Sequence, residues 1–269
     1  MFSKIIKSFN NLKMRIKLLI IVVTVAFLAA AILTAFSYVS LSQSVRTSTG
    51  ENLARYSKEA LARAREVVNS SLKTLESLAL SPTIIDAVES ANQTYAERTQ
   101  AEITAEIQKL DRAWEDGAAS ADVLVAQISG NEVSQYLKSF QAMFPKQVEV
   151  FVTDIQGLNI AMTNRTGDYL QSDEDWWQNA YNNGKGAIYV SEVDRDESTG
   201  SWAINVGVPI YDHSGREVIG VLRGTVDISI IFDTLAQIEI GETGKAVLVD
   251  RNGLILYAEN DTLMMQQVP

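Results

Sequence analysis

The chain has 269 residues and a net charge of −10, and it contains one histidine and no cysteine. The lack of cysteine excludes thiol catalysis, iron–sulfur clusters and Cys-ligated zinc sites. The surplus of acidic side chains argues against nucleic acid as a partner, since phosphate binding needs clustered lysine and arginine. The length is sufficient for a membrane anchor followed by one large or two modest domains.

The first predicted element is a transmembrane helix at residues 18–39. This stretch carries no charge, and an apolar run of this length spans the hydrocarbon core of a bilayer, which is about 30 Å thick. Residues 1–17 form a basic stub with five basic side chains and no acidic one. The positive-inside rule therefore places the stub in the cytoplasm and the bulk of the chain, beyond about Ser40, in the periplasm or outside the cell.

A cleaved signal peptide is the alternative for this N-terminal region, because it also begins basic and turns apolar. Its apolar core is usually only about 7–15 residues long. Here the uncharged stretch continues to Val45 and ends only at Arg46. We therefore expect a retained anchor in the cell membrane.

Residues 40–81 are predicted to form a long stalk helix. Apolar side chains recur three or four positions apart with basic side chains between them, which is the periodicity of a helix. Pairing with a second copy of the stalk would bury this apolar stripe, so the expected assembly is a homodimer. Ser81-Pro82 ends the helix, because the residue before proline is biased away from the helical conformation.

After Pro82 the pattern predicts further helices and then a sheet. Helices are predicted at 83–92, 95–115 and 121–144, the last with an interruption near 129–131. After Pro145 the apolar residues follow the two-residue period of strands. The predicted strands are 148–152, 158–163, 202–210, 218–228, 246–249 and 254–258, with a short helix at 229–237.

Two predicted turns, Asp154–Gly157 and Asp250–Gly253, look like copies of each other. Each has aspartate at its start and glycine three positions later, followed by an apolar strand. Such turns also recur by chance between strands, and that interpretation stays open. If the repeat is real, residues 82–237 contain one complete sheet subdomain and residues 238–269 begin a second one that is incomplete.

The polar segment 164–200 is the predicted functional region. Its adjacent Trp176 and Trp177 lie among acidic residues, and aromatic walls with a few polar groups are typical of a small-molecule pocket. The alternative is that both tryptophans only close a lid onto the sheet. Acidic residues at 194–197 are compatible with a calcium loop but lack the spacing of an EF-hand, so no metal or other cofactor is predicted.

From residue 18 to residue 269 the chain resembles the double Cache sensor domain of bacterial and archaeal chemoreceptors, sensor histidine kinases and diguanylate cyclases. The resemblance is most specific over Tyr169–Ile228, in the runs 172–177, 207–212 and 220–228. It implies an α+β fold with a transmembrane helix, a long stalk helix and two PAS-like antiparallel-sheet subdomains, the second incomplete. It also implies that the membrane-distal subdomain binds a small-molecule ligand.

The amino-acid-binding members of that family share a residue pattern that this chain matches in part. Glu174 stands where an arginine grips the ligand carboxylate, and Ser191 replaces an aspartate. A glutamate would repel a carboxylate, so the remaining aromatic and acidic residues suit an amine or a quaternary ammonium compound better than an α-amino acid. The expected partner is thus a small-molecule ligand, an amine or an amino-acid-like solute. The ligand-binding residues that the resemblance implies are Tyr169, Glu174, Trp176, Trp177, Tyr189, Ser191 and Asp227.

The leading hypothesis is a single-pass membrane sensor without catalytic residues, whose output module lies beyond this chain. A membrane-tethered hydrolase is the first alternative, because paired carboxylates such as Glu174 and Asp175 can serve general acid–base or glycosidase chemistry. The second alternative is a ligand-free structural adaptor that works through its stalk.

Overall fold

The computed structural model describes residues 13–195, 201–236 and 244–268. The chain divides into two compact units, Met1–Glu59 and Ala60–Pro269. Parts of three sequence predictions lie outside the described residues: most of the basic stub 1–17, Asp196 and Glu197 of the acidic segment 194–197, and the last residue of the helix predicted at 229–237.

Helix α1 extends from Met14 to Ala79, so the predicted span and the predicted stalk belong to one helix. In the first unit its large apolar side chains are exposed, with Phe27 at 75 % and Phe36 at 71 %. Among the described residues α1 is the one helix that is long and apolar enough to cross a membrane. An uncharged surface of this kind is the one that lipid accommodates.

In the second unit, α1 is followed by α2 (Pro82–Gln93), α3 (Gln100–Glu115), α4 (Ala119–Gly130) and α5 (Glu132–Met143). Helix α3 begins at Gln100 rather than at residue 95, because Thr99 and Glu102 form a capping box that sets its start. The interruption predicted near 129–131 is confirmed. There Asn131 caps α5 by accepting a hydrogen bond from the backbone N–H of Ser134 at 2.8 Å.

The α+β prediction is confirmed by a six-stranded antiparallel sheet with the order β2-β1-β6-β5-β3, in which β4 also pairs with β5. Helix α6 (Asp175–Tyr181) precedes β3, and helix α7 (Ser229–Ala236) follows β6. A separate two-stranded pair, β7 and β8, follows α7. The strands are β1 (Gln147–Thr153), β2 (Asn159–Met162), β3 (Tyr189–Val190), β4 (Asp194–Arg195), β5 (Trp202–Tyr211), β6 (Val218–Asp227), β7 (Leu248–Val249) and β8 (Ile255–Tyr257).

The sheet is covered on both sides, because alternate residues of each strand point to opposite faces. We call the surface that packs on α1, α2 and α5 the stalk face, and the surface that packs on α3, α4 and α6 the aromatic face. The stalk face is formed by Val150, Val152, Val206, Val208, Leu222 and Val226. The aromatic face is formed by Phe151, Met162, Val221 and the residues in register with them, among which are Thr153, Gly207 and Arg223.

Two glycines of β6 allow close packing on the stalk face. A Cβ atom at Gly224 would lie 2.6 Å from the Leu75 side chain of α1. A Cβ atom at Gly220 would lie 2.9 Å from the Val88 side chain of α2 and would also collide with the carbonyl oxygen of Thr153. The backbone of β6 is therefore in direct contact with α1 and α2.

The two Asp–Gly turns have the same hydrogen-bond pattern. In each turn the aspartate Oδ1 accepts from the backbone N–H groups two and four positions later, at 2.9 and 3.0 Å for Asp154 and at 2.8 and 2.7 Å for Asp250. Gly157 and Gly253 have φ angles of 83° and 84°, which favour glycine. The likeness seen in the sequence thus extends to the backbone geometry.

The β7–β8 pair packs on the rest of the second unit through aromatic side chains. The ring of Tyr257 stacks on that of Phe232 in α7, with a centroid distance of 5.1 Å and an interplanar angle of 26°. Phe232 in turn meets Trp202 of β5 edge to face at 5.8 Å. Such aromatic pairs each contribute about 0.5–1.5 kcal/mol beyond the area that they bury.

Replacing Gly220 by alanine should lower the free energy of unfolding by about 1–3 kcal/mol, because the added methyl group overpacks the contact between β6, β1 and α2. Chemical denaturation of the purified chain measures this change. Gly167→Ala is the matched control, since a Cβ atom at Gly167 meets nothing within 4 Å. Equal stability of the two variants would contradict the close-packing interpretation.

Candidate ligand-binding site

A row of residues crosses the centre of the aromatic face. Tyr189 on β3 pairs with Gly207 on β5. Arg223 on β6 pairs with Gly207 on one side and with Phe151 of β1 on the other. Because residues that pair across strands point to the same face, the side chains of Tyr189, Arg223 and Phe151 share the face that α6 covers.

Helix α6 lies on the gap that Gly207 leaves in this row. A Cβ atom at Gly207 would lie 2.9 Å from the Ala180 Cβ and 3.4 Å from the Trp176 ring. Trp176 is 7 % exposed, and its ring meets Phe151 edge to face at a centroid distance of 5.6 Å and an angle of 85°. The glycine therefore decides how closely α6 and Trp176 approach the sheet.

Trp177 fixes α6 to the sheet. Its indole Nε1 donates to the hydroxyl of Thr153 at 2.9 Å, and that hydroxyl donates to the carbonyl oxygen of Val221 at 3.0 Å. The ring stacks on Tyr181 with a centroid distance of 4.7 Å. These contacts hold α6 against the sheet.

The guanidinium group of Arg223 lies in the corner between two aromatic rings. Its Cζ atom is 5.3 Å from the centroid of Phe151 and 5.4 Å from that of Trp176. Both distances are within the range of cation–π attraction. The positive charge next to Trp176 is thus supplied by the protein.

The positive charge of Arg223 affects the pKa of Glu174, which lies at the start of α6. Partial burial raises the pKa of Glu174, and the neighbouring Asp168 and Asp173 raise it further, whereas Arg223 lowers it. Burial and like charges thus have the larger effect. Arg223 is the cation that opposes this rise in the pKa of Glu174.

A second row, which is polar, lies next to the first on the same face. Glu149, Thr225 and Asn205 pair in register across β1, β6 and β5. The hydroxyl of Thr225 donates to Asn205 Oδ1 at 2.9 Å, which leaves the Asn205 amide nitrogen as a donor. Ser191 lies opposite Asn205, and its hydroxyl accepts from the Asn205 backbone N–H at 2.9 Å.

Asp227 ends β6 on the aromatic face, two positions after Thr225 and four after Arg223. Its Oδ1 accepts from the backbone N–H of Ser229 at 2.8 Å, which fixes the turn into α7. The carboxylate is half-buried. β6 therefore carries a cation, a hydroxyl and an anion in sequence along one face.

Tyr169 belongs to a different part of the aromatic face. Its ring stacks on Trp114 of α3 with a centroid distance of 5.4 Å, and its backbone N–H donates to Asp111 at 3.0 Å. It lines a cleft of about 140 Å³ together with Tyr95, Arg98 and residues of α3. Burial raises the pKa of the Tyr169 hydroxyl, so it stays protonated at neutral pH.

Behind this cleft, Tyr95 and Asp154 join the α2–α3 connection to the first Asp–Gly turn. The Tyr95 hydroxyl donates to Asp154 Oδ2 at 2.5 Å. Asp154 is 1 % exposed, and its burial raises the pKa of the carboxyl more than the Tyr95 and backbone donors lower it. A buried carboxylate of this kind depends on every donor that it has.

The structure thus distributes the predicted site residues. Trp176 and Tyr189 meet at the central row, and Glu174 is coupled to that row through Arg223. Ser191 and Asp227 lie on the same face beyond the polar row. Tyr169 and Trp177 are packed against Trp114 and Tyr181, in the same hydrophobic cluster as Trp176.

Sequence reasoning missed Arg223, Asn205 and Thr225. Arg223 had a signal of its own, because it is the one charged residue inside β6 before its final Asp227. A charge within a strand whose neighbours are apolar points to a specific partner or ligand. Asn205 is uncharged, so its sequence context did not mark it as a candidate in the same way.

Within the described part of the chain, no group of three or more His, Asp or Glu side chains could hold a metal ion.

A groove of about 500 Å³ lies between α1 and α5, where Lys73, Tyr136 and Phe140 are among its lining residues. None of the predicted site residues lines this groove.

The sequence model of the Cache domain matches residues 41–268 of the chain. Comparison with curated protein sequences gives no significant match.

Among solved structures, the chain is similar to the ligand-binding domain of the Pseudomonas fluorescens chemoreceptor CtaA in complex with L-serine, at 18 % identity and a TM-score of 0.39, over 63 % of this chain and 78 % of that one. It is also similar to the sensor domain of the V. cholerae histidine kinase DctB, at 14 % identity and a TM-score of 0.48, over 81 % and 71 % of the two chains. A third similar structure is the ligand-binding domain of the Pseudomonas aeruginosa amino-acid chemoreceptor PctC in complex with GABA, at 17 % identity and a TM-score of 0.42, over 58 % and 71 %.

Replacing Tyr95 by phenylalanine should destabilise the chain at pH 7 by about 1–3 kcal/mol, because the buried Asp154 carboxylate loses a donor. A carboxyl whose pKa is raised on folding favours the folded state below its unfolded pKa, and that contribution is lost as the pH rises through the folded value. Without the Tyr95 hydroxyl the folded pKa rises further, so the penalty should shrink toward pH 4. Urea denaturation at both pH values measures it.

The matched control for this prediction is Tyr136→Phe, which removes a hydroxyl from a tyrosine that is 40 % exposed. It should change the free energy of unfolding by less than about 0.5 kcal/mol at either pH. A Tyr95→Phe penalty that is the same at pH 4 and pH 7 would show that Asp154 is not the group responsible.

Proposed function

The chain belongs to the Cache domain family, and on that premise we propose that it is the extracytoplasmic sensor part of a transmembrane signalling receptor, such as a chemoreceptor or a sensor kinase. The observation that carries the proposal is the combination of the family match over residues 41–268 with a polar and aromatic site on one face of the sheet. Small-molecule sites have this mixture of aromatic walls and a few oriented polar groups.

We propose an order of segments along the chain that runs from the cytoplasm through the membrane to the outside. We assign the basic stub to the cytoplasm, since the positive-inside rule orients a single span in this way. The assigned segments are the stub 1–17, the transmembrane helix 18–39, the stalk 40–81, a membrane-distal PAS-like subdomain 82–237 and part of a membrane-proximal PAS-like subdomain 238–269. The equal geometry of the Asp154 and Asp250 turns supports the last two assignments.

We propose that the receptor is a homodimer through its stalk. In the stalk Tyr56 and Leu61 are 42 % and 57 % exposed. Pairing two stalk helices would remove such side chains from water, at a gain of roughly 25 cal/mol per Å² of apolar surface. The stalk helix, which would transmit the signal, would then itself form the dimer interface.

The proposed ligand is a small solute with a positively charged nitrogen, either an amine or an amino-acid-like compound. The half-buried carboxylate of Asp227 is the proposed counter-ion. Ser191 and Asn205 are the polar groups of the neighbouring row, and Tyr189 lies one row further on, beside Gly207. Glu174 and Trp176 close the site from the side of α6. Tyr169 and Trp177 support it from behind through their packing.

Signal would pass through β6, because this strand touches both the site and α1. Asp227 and Arg223 lie on its aromatic face, and Gly224 lets it contact Leu75 of α1 on the stalk face. A shift of about 1–2 Å in a helix is a known switching mode. The ligand must bind one of the two positions more tightly than the other for such a shift to occur.

The two alternatives have less support. Glu174 lies among Asp168 and Asp173 and opposite Arg223, an arrangement of surface charges that needs no catalytic role to explain it. A ligand-free adaptor would not need the polar row of Glu149, Thr225 and Asn205, nor Arg223 and Asp227 on the same face of the sheet.

Asp227→Asn should weaken binding of cationic solutes at least tenfold, which corresponds to about 1.4 kcal/mol. The asparagine keeps an oxygen for the Ser229 N–H but loses the charge. Calorimetric titration of the full chain in lipid nanodiscs, with the common L-amino acids and their decarboxylated amines as probes, measures the change.

The control for this titration is Asp233→Asn on α7, where an exposed carboxylate is removed. Wild-type affinity of the Asp227→Asn variant would refute its role as counter-ion. The absence of saturable binding by the wild type to every probe would count against the proposed ligand class.

A further inference from the structure

We infer that the buried amide of Gln147 on β1 and the hydroxyl of Ser71 on α1 form a conformational switch between the sheet and the stalk helix. In the position of α1 that the structure shows, the Gln147 oxygen accepts no hydrogen bond from Ser71. In a second position of α1 the two groups pair. The inference rests on the proposed function, because it concerns what controls the shift of α1 that would carry the signal.

Gln147 is a polar side chain within the apolar stalk face. It is 2 % exposed and pairs in register with Val226 of β6. Its backbone N–H donates to the carbonyl oxygen of Phe144 at 2.8 Å, which holds the residue at the start of β1. Among the described residues, its side-chain Oε1 atom is buried without a donor. Buried acceptors are normally paired, so an unpaired one in a packed core needs an explanation.

The unpaired oxygen lies where β6 meets the stalk helix. A Cβ atom at Gly224 would be 3.1 Å from Gln147 Oε1 and 2.6 Å from the Leu75 side chain of α1. The backbone of Gly224 therefore has both the oxygen and α1 as direct neighbours. A displacement of α1 against β6 changes the surroundings of this oxygen.

Helix α1 carries a hydroxyl donor one turn before Leu75. Ser71 is 8 % exposed, and it is the polar member of the buried set on α1, which is Ala60, Ser71, Leu75, Leu78 and Ala79. Positions 71, 75 and 78 share one face of the helix, since they are four and three residues apart. Thr74 donates its hydroxyl to the carbonyl oxygen four positions earlier, whereas the described part of the chain shows no such bond for Ser71.

A small movement is enough to bring the two groups together. Residues four apart on a helix have Cβ atoms about 5–6 Å apart, so Ser71 is one turn away from the contact between Leu75 and Gly224. The glutamine side chain changes between discrete rotamers, which lets its amide turn along α1. Such a turn, together with a shift of α1 by about 1–2 Å, the known scale of helix switching, places the Ser71 hydroxyl against the Gln147 oxygen.

The unpaired oxygen biases the equilibrium between the two positions. A buried acceptor without a donor disfavours the position that contains it, by an amount that corresponds to roughly 5- to 150-fold in an equilibrium constant. The pair therefore keeps the second position of α1 populated in the free receptor. A ligand then needs only a modest difference in affinity for the two positions to change their populations.

The opposing interpretation is that Gln147 is a local packing feature whose oxygen is satisfied by a buried water. Ser71 would then have no influence on the position of α1. The two interpretations differ in what they predict for the two single variants and for the double variant.

Fluorine NMR of the full chain in lipid nanodiscs, without ligand, measures the position of α1. The chain has no cysteine, so a single cysteine introduced at Ser77 carries a trifluoromethyl label. Ser77 is exposed on α1 and lines the groove together with Phe140 and Phe144. The resonance of the label therefore depends on where α1 lies relative to these rings, and peak areas or the averaged shift give the equilibrium constant.

We expect Gln147→Met to shift this equilibrium toward the described position by roughly fivefold or more, because methionine fills the space without an acceptor. Ser71→Ala and the double variant should shift it by a similar factor, since each removes the same hydrogen bond of the second position. Gln147→Leu serves as a second apolar replacement. The matched control is Ser70→Ala, which removes an exposed hydroxyl next to Ser71 and should leave the equilibrium unchanged.

Three outcomes would overturn the inference. One is a single resonance that no variant moves, which would show that α1 has one position. Another is an effect of Gln147→Met with none of Ser71→Ala, which supports the packing interpretation. The third is a double variant whose effect is the sum of the two single effects, because the groups would then act independently. No ligand is used, so these outcomes leave the calorimetric test of the proposed sensor function unaffected.

Discussion

The structure of the second unit depends on strand β6, which packs against helices on one face and carries the polar site residues on the other. On the stalk face, β6 presents Gly220 and Gly224, and no other residue type would let α1 and α2 come so close. On the aromatic face, the alternate positions of β6 carry Arg223, Thr225 and Asp227. Because side chains alternate strictly along a strand, a shift of one residue in register would exchange these two sets and destroy both.

This constraint explains why the site can be connected to the stalk without a long chain of contacts. Only the thickness of one strand separates the Arg223 side chain from the Leu75 side chain of α1. Packed interiors respond to a displaced group by changing between discrete arrangements, since they are too dense to deform smoothly. Under the proposed function, a ligand that displaces β6 would therefore act directly on α1.

Much of the fold could be predicted from the sequence because its signals are local. The break between α4 and α5 is encoded by Gly130 and Asn131, and the strands β5 and β6 by their apolar alternation. The start of α3 was placed too early, because the capping box at Thr99 competes with a helical pattern that begins before it. The two-residue strands β3 and β4 were missed, since they exist only through their pairing with β5.

The candidate site was less predictable, because its members meet through the sheet. The family pattern gave Trp176, Tyr189 and Asp227 as candidates, but it could not show that Arg223 would lie beside the ring of Trp176. That contact depends on the register of β6 with its neighbours. The burial of Asp154 beside Tyr95 is similar, since the same turn motif leaves Asp250 only partly buried.

The pair of Asp–Gly turns gives this protein an internal standard for the electrostatics of burial. Asp154 and Asp250 accept the same two backbone N–H groups, yet the pKa of the first carboxyl is raised by burial and that of the second is lowered by its hydrogen bonds. The difference between their titrations therefore isolates what the surroundings of a motif contribute. The same turn geometry thus occurs once in the protein interior and once where the carboxylate remains in contact with water.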